Sequence, residues 1–271
     1  MFSDLCALAR YLESISSTIL DLERSAKIWK VKETSITDLI IASFRNASSV
    51  PWLEVDASHE TTTNADFEII LRQAGRDFTI LLQAKRSGKT QSGTANVPEV
   101  FHPKGTGNQN RLLIDFARKN KMLPLYAVYL STLDVKRLVG APGLRRVSGI
   151  TLQHASELRR LGFNQSGKNT LLAHKLLEGA FPFRHLFCLE LETHSLDAIA
   201  RTLYQYASAD LEFPLEDLIT EEVTLEERGN RDMEVNRAYR LSERRSEDVS
   251  KRDTPPERRT QRILFNLDEL L

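Results

Sequence analysis

The chain has 271 residues, of which 41% are hydrophobic and 27% charged, and its 37 basic and 37 acidic residues cancel. That is the composition of an ordinary soluble protein long enough to bury a sizeable core. The zero net charge excludes a global nucleic-acid signature, and the absence of an 18-residue apolar run excludes a membrane span.

The N-terminal MFSDLCALARYLES is broken by acidic and polar residues, unlike a signal-peptide core. Cys6 and Cys188 lie far apart in sequence and give no disulfide or metal framework. Together these features predict a soluble, cytoplasmic protein.

In chain order, residues 4–28 carry an apolar stripe of Leu5, Leu8, Leu12, Ile15, Ile19 and Leu22, which predicts an amphipathic helix. A second periodic run, Ile36, Leu39, Ile40 and Phe44, predicts a helix ending near Asn46 with Glu33 in its first turn. Trp52–Thr63 reads as extended. Residues 87–108 form a long loop rich in Gly, Thr, Asn and Pro, and loops of that length are functional or disordered. Asn110–Asn120 reads as a helix and Pro124–Leu130 as a buried strand. Further on, Arg146–Leu152 and Arg184–Leu191 read as strands, and Ala155–Leu161 and Ser195–Ala207 as helices. From Glu221 to Leu271, 24 of 51 residues are charged, which predicts a solvated or disordered tail. Its end, Arg262–Leu271 (RILFNLDELL), is apolar enough to dock on something. The predicted divisions are an N-terminal helix (1–30), an α/β domain (31–220) and the tail (221–271).

The most informative stretch runs from Asn64 to Arg86. Two apolar runs, Ala65–Leu71 and Phe78–Ala84, flank a turn containing Gly75, which reads as a β-hairpin. Alternation puts Asp66, Glu68 and Ile70 on one face and Thr79, Leu81, Gln83 and Lys85 together on the second strand. With Ala74-Gly75 as the turn, Asp66 faces Gln83 and Lys85 lies diagonally. With Gly75-Arg76, Asp66 faces Lys85. Either register gathers an acid, an amide and a lysine on one face. The opposite, apolar face would pack on a core, leaving the polar one toward a cleft or solvent. Between Arg76 and Lys121 nine basic residues stand against three acidic ones, a local excess that suits a phosphate-bearing partner and equally describes a solvated face.

An Asp followed one hairpin later by Gln83-Ala84-Lys85 resembles the PD-(D/E)XK nuclease superfamily, in the branch with Gln-x-Lys for Glu-x-Lys. The resemblance covers roughly residues 30–130, and the order helix, strand, hairpin, helix, strand agrees with it. It implies a restriction-endonuclease-like α/β fold, a mixed central sheet flanked by helices. It implies a Mg²⁺- or Mn²⁺-dependent nuclease, with DNA as substrate, and defence against foreign DNA by fold-level analogy only. Asp66, the Ala84 carbonyl and Gln83 would bind the cation, Lys85 would assist the attacking water, and Glu33 would add the acid that neutral Gln83 lacks. An acid in a first helical turn is also favoured by the helix dipole, so Glu33 has a purely structural reading too. Glu68 shares the face of Asp66 and ranks below it, since it could simply pair with Lys85. Arg86, Lys89, Lys104 and Arg111 are the candidate nucleic-acid contacts, and a homodimer would supply two sites for a duplex.

Two other readings stay open. The same fold with a degenerate site could bind nucleic acid or a protein without cutting, or the C-terminal tail could carry the function by docking a protein partner. The near-P-loop Gly162–Asn169 has Asn169 where a Ser or Thr should hold Mg²⁺, and helical residues before it, so it reads as a loop. His185 and Cys188 alone do not make a zinc site, and of the six histidines only His102 lies in a loop near the hairpin.

Overall fold

The computed structural model of the chain describes residues 5–26, 31–47, 53–59, 64–73, 75–89, 95–101, 103–104, 107–139, 144, 146–162, 170–188, 196–206, 218–221 and 259–266. Its longer helices are α1 (Leu5–Ala26), α2 (Glu33–Ala47), α3 (Gln109–Lys119), α4 (Thr132–Leu138), α5 (Ala155–Gly162) and α6 (Leu196–Tyr206). The main-sheet strands are β1 (Leu53–His59), β2 (Phe67–Gln73), β3 (Arg76–Arg86), β4 (Leu123–Tyr129), β5 (Ile150–His154), β6 (Phe181–Pro182), β7 (Ile219–Glu221) and β8 (Arg259–Asn266). They form one mixed eight-stranded sheet in the order β1-β8-β2-β3-β4-β5-β6, with β7 on the start of β3. The protein is therefore α/β, a mixed central sheet flanked by helices.

The hairpin forms in the Ala74-Gly75 register: Gln73 pairs with Arg76 and Phe67 with Leu82. Gly75 has φ +71, a left-handed conformation that costs a glycine little. β3 then runs parallel to β4, from Ile80 beside Leu123 to Arg86 beside Tyr129. A parallel pair needs a crossover, and the segment from Ser87 through α3 supplies it. That segment is less irregular than its composition suggests: Gly88–Lys89, Ala95–Val97 and Leu171–Leu172 form a small sheet, and Pro103–Lys104 pairs with Gly107–Asn108.

Because β3 is central, both its faces are covered. On one face Tyr129 bonds Thr37 of α2, and Arg86 bonds Glu23 of α1. On the other, Gln83 meets Gln109 of α3. Of the cleft or solvent expected on the polar face, solvent is excluded for these side chains: Gln83 is 1% and Lys85 4% exposed.

α1 buries Leu8, Ala9, Leu12 and Leu20, but also Glu13, Ser16 and Ser17, while Leu22 is exposed. The buried stripe is rotated from the apolar one, and two of its polar members, Glu13 and Ser17, have partners on distant segments. Glu13 takes the backbone N–H and guanidinium of Arg184, and Ser17 donates to the Leu130 carbonyl. Of the strand expected over 184–191, the described part, residues 184–188, is not a strand. Phe181–Pro182 makes the sheet contact, and Phe183–Leu186 form a 3-10 turn that packs Phe183 and Phe187 on Phe44. That turn carries Cys188 to Cys6, and the two form a disulfide with Cα atoms 4.7 Å apart. The cysteines, far apart in sequence, do pair. Arg259–Asn266, read from sequence as part of a separate tail, is a strand antiparallel to β1 and parallel to β2. No helix among the described residues is long and apolar enough to cross a membrane.

Candidate active site

Asp66 sits just before β2, opposite Gln83, fixed by its own N–H to the Leu82 carbonyl at 2.8 Å. Its Oδ2 accepts the Ala84 backbone N–H at 2.6 Å and also the Gln83 Nε2 amide. The same Nε2 donates to the Ala84 carbonyl at 3.2 Å. Asp66 carboxylate, Ala84 carbonyl and the Gln83 side-chain amide therefore converge on one point. Gln83 Oε1, at the far end of its amide, accepts from Gln109 Nε2 at 2.7 Å. Gln109 is the first residue of α3, held there by Asn108, whose Oδ1 caps the Arg111 N–H at 2.8 Å.

Lys85 is buried, with Nζ 3.9 Å from Glu33 Oε1. Glu33 opens α2, as its sequence position predicts. Burial raises the Glu33 carboxyl above the ordinary carboxylate range, against the pull of Lys85, and Glu99 pushes it the same way as burial. Glu99 has φ +55, in a turn tied to β4 where Tyr126 donates to the Val100 carbonyl. Tyr129, whose phenol is shifted strongly upward by burial, feels the negative charges of both Asp66 and Glu33. Asn64, two residues before Asp66, has φ +54 and a buried Oδ1 without a hydrogen bond.

The structure thus gathers Asp66, Gln83 and Ala84, and separately joins Lys85 to Glu33 beside them on β3. Glu68 is buried on β2 opposite Leu81 of β3. Arg86 is engaged by Glu23 and by the Val31 carbonyl, both at 2.6 Å, on the α1 face. Arg111 is exposed on α3 beside Asp115. The side chains of Lys89 and Lys104, all of His102, and residues 163–169 of the near-P-loop lie outside the described residues. Gln109 and Glu99 are the site residues that sequence reasoning missed. Asn108 before a helical run was the one available signal for the first, and nothing local marks the second.

No group of three His, Cys, Asp or Glu side chains among the described residues is arranged to hold a metal. The convergent set is of another kind: one carboxylate, one backbone carbonyl and one side-chain amide, which has its nitrogen inward in the structure. With the oxygen inward, all donors are hard oxygens, which suits Mg²⁺ or Mn²⁺ and not zinc. The donor set fits such a cation.

Fold and site together define an α/β protein with a carboxylate–amide–lysine cluster at its central hairpin. Residues 6–267 match a family of unknown function, DUF6615, and the chain belongs to that family. No curated protein and no solved structure matches it.

Proposed function

We propose that this chain is a Mg²⁺- or Mn²⁺-dependent nuclease of the PD-(D/E)XK type that hydrolyses phosphodiester bonds in DNA. The observation that carries the reading is the convergence of Asp66 Oδ2, the Ala84 carbonyl and the Gln83 amide, with Lys85 two residues along the same strand. A bound divalent cation would supply Lewis acidity at the phosphate and a nucleophilic water at neutral pH. Asp66, the Ala84 carbonyl and, with its oxygen turned inward, Gln83 would hold it. Buried Lys85 orients the attacking water and offsets charge building on the phosphate as the P–O bond to the leaving oxygen breaks. Glu33, with Oε1 3.9 Å from the Lys85 ammonium, pairs with it.

The test is cleavage of plasmid and single-stranded DNA with Mg²⁺ or Mn²⁺. Asp66→Ala should abolish metal-dependent cleavage, and Lys85→Ala should lower it by roughly 100- to 1,000-fold. Full activity in Asp66→Ala, with folding intact, removes the assignment.

One observation favours a second reading, a degenerate module that binds nucleic acid or a protein partner without cutting. Gln83 is neutral, and its amide nitrogen already satisfies Asp66. Binding to DNA without Mg²⁺ dependence and without cleavage would select this reading.

A further inference from the structure

Gln83 lies between two environments that demand opposite ends of its amide. Toward β2 it meets the Asp66 carboxylate and the Ala84 carbonyl, both acceptors, so its NH₂ group must face them. Its Oε1 is left for Gln109, which must then present its own NH₂, as the 2.7 Å contact has it. Both side chains are buried, Gln83 to 1% and Gln109 to 8% exposure, so water is a poor substitute for either partner. A cation bound by Asp66 and Ala84 reverses the first demand. Gln83 would then have to present Oε1 inward, which sends its NH₂ toward Gln109. Gln109 satisfies that donor only by turning its own Oε1 to it. Because each residue has one donor end and one acceptor end, turning Gln83 alone sets a buried donor against a donor, and turning Gln109 alone sets a buried acceptor against an acceptor.

We infer that Gln109 is a positioning residue for the cation site, and that the Gln83 and Gln109 side-chain amides turn over together when a divalent cation enters. The inference rests on the proposed cation site. It gives a reason for glutamine in place of a carboxylate at position 83: the amide closes the site on itself when no cation is present.

The test is a Mg²⁺ titration of ¹⁵N-labelled full-length protein. It follows the side-chain amides of Gln83 and Gln109, assigned by their loss in Gln83→Leu and Gln109→Leu, and the backbone N–H of Ala84. The Ala84 resonance reports cation entry independently. The expected result is that all three shift with one apparent dissociation constant, and that Gln109→Leu weakens Mg²⁺ binding by about 10- to 100-fold. In Gln83→Glu the carboxylate has oxygen at both ends, so Mg²⁺ should still bind while the Gln109 amide stays nearly fixed. If Ala84 shifts but the two side-chain amides do not, or if Gln109 moves equally in Gln83→Glu, the coupled turn is wrong and the cation site survives. If Ala84 does not shift at millimolar Mg²⁺, both the cation site and the coupled turn are overturned.

Discussion

At the scale of single residues, the site is shaped by burial more than by charge count. Glu33 is half-buried beside the fully buried Lys85, yet its carboxyl is raised from its ordinary value, because desolvation outweighs the lysine and Glu99 adds a like charge. If ionised Glu33 supports turnover, Glu99→Gln should lower the Glu33 pKa and move the acid limb of the cleavage profile to lower pH. An unmoved limb detaches Glu33 from the reaction. A second residue-scale effect lies away from the site. His154 is fully buried on β5, accepts the Ser156 N–H at Nδ1, and its pKa is pushed down to about 3 by desolvation. The folded state keeps His154 neutral where the unfolded chain, with a pKa of about 6.5, binds a proton. His154 therefore gives its full stability above the unfolded value, and that contribution is lost as pH falls from about 6.5 toward 3. The slope approaches about 1.4 kcal/mol per pH unit. Urea denaturation of His154→Asn and wild type between pH 7 and 4 should show a shallower loss in the variant, and parallel curves would refute the linkage.

At the scale of elements, α1 lies against the sheet at the entry to β5, and Gly149 allows it. A Cβ there would stand 2.0 Å from the Glu13 carbonyl and 2.3 Å from Ser17 Oγ. Those neighbours are a helix backbone and a hydroxyl already bonded to Leu130, so neither yields cheaply. Gly149→Ala should destabilise by about 3 kcal/mol, the upper end of ordinary overpacking, or more. Gly75→Ala, with nothing near its Cβ but φ +71, should cost only about 1–2 kcal/mol. Equal urea midpoints for the two variants would contradict this close approach. The hairpin was legible in the sequence because alternation and one glycine specify it locally, down to Asp66 facing Gln83 in one of two registers. The rotation of α1 was not, because the partners of Glu13 and Ser17 lie 171 and 113 residues away. The 3-10 turn at 183–186 was misread as strand for the same reason: Phe183 and Phe187 owe their conformation to Phe44 on α2.

At the scale of the whole molecule, the chain is closed by contacts between segments far apart in sequence. Cys188 bonds Cys6 across 182 residues, and β8 enters the sheet between β1 and β2, more than 180 positions after either. Neither closure is encoded by anything near it in sequence. A charged segment followed by RILFNLDELL looks the same whether its apolar end docks on another protein or on its own sheet. The distinction has a consequence for function. β8 pairs with β2, and β2 pairs with β3, which carries Gln83, Ala84 and Lys85, so the end of the chain is two strands from the candidate site. Removing residues 259–271 would leave β1 without its partner strand and expose the edge of β2, an open row of backbone donors and acceptors that invites association between chains. The truncated protein should therefore show a lower melting temperature and concentration-dependent aggregation. A synthetic 259–271 peptide should restore both by adding the missing strand. A monomeric truncation with unchanged melting temperature would mean that the segment contributes nothing to the sheet, and would return it to the role of a docking segment for a partner.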